Sequence, residues 1–151
     1  MDIGSGGVDR RRFLQSSMLF GGIVPLCCTT PAAPPGSVRF EGSTLVLDLM
    51  QIPDLGEVGS ACAVVDEGRK LNLIVARPEA RRFVALDRTC THGGASCTYM
   101  HKRRSLRCTS LNHAEYSLDG TLLHGRTHGN LRAYRLRLNG PRLEIDLEKK
   151  A

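Results

Sequence analysis

No stretch of this 151-residue chain after residue 37 carries a sustained helical period. The chain there is instead a succession of short β-rich runs broken by turn residues. Thr44 to Leu49 partly alternates between apolar and polar residues. Ala61 to Val65 and Leu71 to Ala76 read as strands joined by the turn Asp66-Glu67-Gly68. Arg82 to Leu86 and Arg104 to Cys108 read as two more. Glu115 to Leu123 reads as a hairpin around Asp119-Gly120. Leu131 to Leu138 and Arg142 to Leu147 alternate strongly, with Asn139-Gly140 as the turn between them. Many short strands separated by turns predict an all-β sandwich or barrel. Trp is absent and aromatics are 5% of residues, so the core must rest on Leu, Val, Ile and Ala. An apolar content of 41% suffices for one packed domain.

Two segments between the strands carry chemistry. The first is Cys90-Thr91-His92-Gly93-Gly94; the second runs from Cys108 through His113 to Tyr116. Fifteen residues separate His92 from Cys108, room for a strand out and a strand back. Each loop offers one soft thiolate and one imidazole, a combination suited to zinc or to an iron–sulfur centre. The six cysteines are not spaced like the framework of a small disulfide-stapled domain. Cys62, in Ala61-Cys62-Ala63-Val64-Val65, reads as a small core hydrophobe.

These residues resemble the Rieske family, whose pattern is Cys-x-His, a spacer of about fifteen or more residues, then Cys, a short gap and His. The stretch from Tyr116 to Gly120 resembles the family's aromatic-x-x-x-Gly, and Gly125 to Leu131 stands where the family has a further loop. The likeness covers residues 83–136, and the β pattern extends it over 40–148. It implies a Rieske-like antiparallel β-sandwich with a small cluster-binding subdomain. A [2Fe–2S] cluster would be held by Cys90 and Cys108 on the inner iron and by His92 and His113 on the outer. Replacing two thiolates by neutral imidazoles removes negative charge and raises the reduction potential. Exposed imidazoles also offer the electron a short route out and couple its transfer to protons.

The second loop departs from the commonest family spacing. A two-residue gap from Cys108 lands on Leu111, which cannot bind iron. A one-residue insertion would make Asn112 the ligand; a longer-gap variant makes it His113. His113 is preferred, because His-Ala-Glu-Tyr parallels the family's second ligand with its following small residue and aromatic. High-potential members also join the two loops by a disulfide. Cys97 lies near the first position, but Ser110 stands where the partner would be, so that disulfide is not expected. Those members also place a serine two residues after the second histidine, where this chain has Glu115; without the disulfide and that hydroxyl, the expected potential is lower than theirs. His101, His124 and His128 read as surface residues.

The N-terminus resembles a twin-arginine export signal. Arg10 and Arg11 form the pair, Phe13 and Leu14 follow, and an apolar stretch runs from Met18 to Cys28. That stretch is shorter than the ~20 apolar residues of a membrane span. Pro-Ala-Ala-Pro-Pro-Gly at 31–36 reads as a linker. The expected organisation is a leader and linker over residues 1–36 and a Rieske-like domain over 37–151, with cluster loops within 88–130. Cleavage, lipidation at Cys27 or Cys28, and retention as a membrane anchor all stay open. Export places the domain in the bacterial periplasm or on that face of the membrane. The twin-arginine route carries folded proteins, so a cluster would be acquired before export.

Residues 1–36 hold three arginines against two aspartates, so the folded part carries most of the formal +6 charge. A basic surface steers acidic partners at low salt. The arginines are scattered through strands with few aromatics between them, and no nucleic-acid motif is present. The expected function is one-electron transfer, as an exported carrier or as a small subunit of a redox complex. No catalytic domain is visible, so substrate chemistry would belong to a redox partner. The alternative is a zinc-stabilised or metal-free β-domain that binds a protein.

Overall fold

The computed structural model describes residues 30–151. The leader motif, Cys27 and Cys28 lie outside the described residues. Among the described residues, eleven strands form two antiparallel sheets. They are β1 (Val38–Glu41), β2 (Thr44–Asp48), β3 (Ala61–Asp66), β4 (Leu71–Glu79), β5 (Arg82–Asp87), β6 (Cys97–Met100), β7 (Ser105–Cys108), β8 (Glu115–Ser117), β9 (Leu122–His124), β10 (Ala133–Asn139) and β11 (Arg142–Lys150). The larger sheet has the order β1-β2-β11-β10-β5-β4-β3, and the smaller the order β6-β7-β8-β9. The all-β expectation holds, as a large sheet with a small four-stranded one set into it. No helix among the described residues is long and apolar enough to cross a membrane.

The run Leu73-Ile74-Val75-Ala76 is apolar throughout rather than alternating, and burial explains why. Leu73 and Val75 belong to the core of the large sheet, together with Leu45, Leu47, Leu143 and Ile145. Ile74 points the other way, into a second core with Leu86, Leu106, Tyr116 and the cysteines of the small sheet. A strand buried on both faces needs apolar residues at every position. The small sheet therefore rests on the back of β4 and β5, and the cysteine loops grow out of that interface.

Some elements differ from the sequence reading. β4 runs to Glu79, past Pro78, with a register shift between Ala76 and Glu79. β1 and β6 are additional strands of four residues each; β1 alternates as Val-Arg-Phe-Glu but is too short to stand out, and β6 has no alternation. The segment read as a linker lies along β3, where Ala33 N–H donates to Ala63 O at 2.8 Å and Ala63 N–H to Pro31 O at 2.7 Å.

Several carboxylates are held below the usual carboxylate range by hydrogen bonds. The Arg69 amide does this for Asp66, the Arg104 guanidinium for Glu79, and the Ser117 hydroxyl for Asp119. A carboxylate with a depressed folded-state pKa contributes stability above its unfolded pKa and loses it as pH falls through the folded value. The melting temperature should therefore be level near neutrality and fall as pH drops below the ordinary carboxylate range of about 4. Calorimetry across that range checks it, and Glu79→Gln should flatten part of the fall.

Candidate metal centre

The first cysteine loop is a tight reversal leaving β5. The Thr89 amide donates to Asp87 Oδ1 at 2.8 Å, and Cys90 N–H donates to Ala95 O at 2.8 Å. Gly94 N–H returns to Cys90 O at 3.1 Å, with Gly94 at φ +72°, where glycine carries no Cβ penalty. The second loop reverses β7 into β8. Cys108 N–H donates to Ala114 O at 2.8 Å and His113 N–H to Ser110 O at 3.0 Å. Thr109 N–H donates to Ser96 O at 3.0 Å, tying the second loop to the first. The third loop clamps both. Thr91 Oγ1 donates to Gly129 O at 3.1 Å, and Gly125 packs so closely on Ala114 that an added Cβ would lie 2.8 Å from its Cα.

These reversals aim three thiols at one place. The sulfurs of Cys90, Cys97 and Cys108 all lie within 4.8 Å of one another. The three residues are 2%, 0% and 1% exposed, so water is excluded from the sulfurs. His92 Nδ1 lies 2.7 Å from Cys90 Sγ, and its Nε2 lies 3.0 Å from Ser110 Oγ. Ser110 Oγ is in turn 3.2 Å from Cys108 Sγ. A continuous polar bridge thus joins the two loops through His92 and Ser110. Tyr116, fully buried, reaches Cys90 Sγ at 3.2 Å and Thr91 Oγ1 at 3.2 Å with its hydroxyl.

Burial pushes the Cys97 thiol well above its ordinary range, and the neighbouring thiols Cys90 and Cys108 add to that. Burial also opposes the Cys108 thiolate. Hydrogen bonds with the hydroxyl and amide of Ser110, joined by those with Cys90 and Cys97, together outweigh it and hold that thiol below its ordinary value. A deprotonated sulfur is what a metal needs.

The sequence-predicted residues therefore divide. Cys90, His92 and Cys108 come together. His113 sits on the exposed turn of the second loop, at φ +45° and outside the three-sulfur group; Leu111 and Asn112 beside it are exposed as well. Cys97 enters the group, although its position in the sequence suggested no ligand role. Its signal was symmetry: a hairpin centred between Lys102 and Arg103 puts Cys97 directly opposite Cys108. Cys97 is a free thiol. Glu115 turns away from the thiols to Ser105 Oγ at 2.6 Å and Arg103 Nε at 3.3 Å. His101, His124 and His128 are exposed. The donor chemistry, buried thiols with an imidazole beside them, fits a thiophilic metal or an iron–sulfur group.

No family model matches the chain, and no curated protein sequence matches it. Solved structures do. A chain from the complex of reduced oxygenase and oxidised ferredoxin in carbazole 1,9a-dioxygenase superposes with a TM-score of 0.55 at 22% identity, over 66% of this chain and 90% of that one. The ferredoxin of carbazole 1,9a-dioxygenase from Nocardioides aromaticivorans gives 0.53 at 19% identity, over 66% and 92%. The plasma-membrane Rieske protein of Synechocystis PCC 6803 gives 0.45 at 23% identity, over 50% and 77%. The fold of this chain, a large antiparallel sheet carrying a small four-stranded sheet with the cysteine loops, is Rieske-like.

Proposed function

We propose that this chain transfers single electrons through a Rieske-type [2Fe–2S] centre. The observation that carries this reading is the meeting of Cys90, His92 and Cys108 at the junction of two loops on a Rieske-like fold. Cys90 and Cys108 would hold the buried iron; His92, with His113 from the exposed turn, would hold the outer one. When bound, such a centre accepts and releases one electron at a time. The chain's own residues hold the thiols in place, exclude water from them and supply hydrogen bonds to their sulfurs. The matched complex pairs a ferredoxin with an oxygenase, which supports a redox protein as partner here. The twin-arginine-like leader supports work in the periplasm, as a free carrier or as a small subunit anchored by its N-terminus.

Reconstitution of the full chain with iron and sulfide tests this. A brown protein with two irons and two acid-labile sulfides per chain is expected. A chain freed of metal beforehand that stays colourless and takes up no iron or sulfide would sink the reading.

The Tyr116 hydroxyl provides a finer test. A metal-bound Cys90 thiolate can only accept, so the hydroxyl 3.2 Å away would donate to it and stabilise the state with more charge on sulfur, which is the reduced one. Loss of one such hydrogen bond, about 1 kcal/mol, corresponds to roughly 40–50 mV for one electron. Tyr116→Phe should therefore shift the potential negative by about that amount. Protein-film voltammetry of the two forms reads it directly.

A further inference from the structure

The site contains a thiol that the electron-transfer reading does not use. Cys97 opens β6 and stands opposite Cys108 at the end of β7. Its amide donates to Arg88 O, and the Cys108 amide to Ala114 O, so neither bonds across the pair. This is the kind of cross-strand position where facing side chains lie closest. Cys90 joins them from the first loop, and the three sulfurs gather within 4.8 Å of one another. Around a tetrahedral zinc with Zn–S of about 2.3 Å, sulfurs lie roughly 3.8 Å apart. Each iron of a [2Fe–2S] cluster takes only two protein ligands, because bridging sulfides fill its other positions. Three sulfurs gathered about one point match a single ion instead. His92 hydrogen-bonds to Cys90 from outside this group, so the three thiols alone define the site.

We propose that this pocket also takes a single soft divalent ion, zinc by its chemistry, through the thiolates of Cys90, Cys97 and Cys108. The proposal rests on the electron-transfer reading only in that Cys90 and Cys108 are shared, which makes the two occupancies exclusive. Each thiol passes its proton to the buffer as its sulfur–metal bond forms, and no electron moves. His113, on the exposed turn, takes no part. The zinc form is colourless and carries no electrons, so the chain is active only where cluster assembly outcompetes zinc.

Cobalt(II) added to the full chain in reduced, metal-free form tests this. The expected spectrum has the d–d bands of a tetrahedral ion and sulfur-to-cobalt charge transfer with the intensity of three thiolates. Zinc should displace it. Cys97→Ser should remove about a third of the charge-transfer intensity, one thiolate of the three. It should also weaken binding by more than the roughly 10–100-fold that loss of a supporting hydrogen bond costs. Cys62→Ser, in the other core, should change neither. Intensity for two thiolates in the wild type, an unchanged Cys97→Ser spectrum, six-coordinate bands or no cobalt uptake overturns the proposal. If Cys97→Ser fails to fold, the wild-type intensity alone counts the thiolates. Iron and sulfide content is a separate reading. A chain that shows three-thiolate cobalt but assembles no cluster refutes the electron-transfer function and leaves this proposal standing.

Discussion

Cys108→Ser is expected to leave a folded protein that assembles no iron–sulfur centre. Cys108 ends β7 with its side chain buried beside Cys90 and Cys97, so its sulfur has no substitute within the strand. A serine hydroxyl fits the same space and keeps Ser110 as a neighbour, so the cost to the fold is about 1–2 kcal/mol. It is a far poorer ligand for iron than thiolate. Iron and sulfide should fall from about two of each per chain to near zero, while circular dichroism keeps the β signature. Cys62→Ser is the control. Cys62 belongs to the core of the large sheet, where burial pushes its thiol up to about 12, so it stays protonated and away from any metal. Full iron content in Cys108→Ser would remove the second loop from the site altogether.

Gly120→Ala is expected to destabilise the fold by about 3 kcal/mol. Gly120 closes the β8–β9 hairpin at φ +89°, and an added Cβ would lie 2.2 Å from Leu131 O. Relief by backbone movement is blocked, because Leu131 N–H donates to Gly120 O at 2.8 Å. Leu131 belongs to the core under the cysteine loops, so the strain falls on the segment that supports the site. For a chain of this size the melting temperature should drop by roughly 6–12 °C. Gly140→Ala is the matched control. Gly140 turns β10 into β11 at φ +59° with open space around it, so only the left-handed backbone strain of about 1 kcal/mol applies. Equal losses for the two variants would show that the contact with Leu131 contributes nothing.

The parts of the fold legible in the sequence are those where one physical signal stands alone. Asn139-Gly140 between two alternating runs specifies the β10–β11 hairpin, and the structure pairs Leu138 with Leu143 and Asn139 with Arg142 across it. Asp119-Gly120 marks the β8–β9 turn for the same reason. The Leu73 to Ala76 run shows a strand, but only tertiary packing shows that Ile74 serves a different core from its neighbours. β6 was hidden because Cys97-Thr98-Tyr99-Met100 has no alternation to read and owes its strand to pairing with β7. The same gap hid Cys97, whose place beside Cys108 depends on that pairing. At the site, Cys-x-His was legible because two residues of chain hold His92 against Cys90 whatever the rest does. The longer gap from Cys108 leaves room for a turn, and that turn carries His113 to the surface.

If imidazole and thiolate together hold a one-electron iron–sulfur centre, both ligand types must be coupled to the unpaired electron. Electron paramagnetic resonance of the reconstituted, dithionite-reduced full chain, grown with ¹⁵N-histidine, reads that coupling directly. The expected result is a rhombic signal whose mean g lies below the free-electron value, with nitrogen couplings that disappear for one ring in His92→Ala and for the other in His113→Ala. A reduced chain with no such signal, or one whose signal carries no histidine coupling, would contradict the proposed centre.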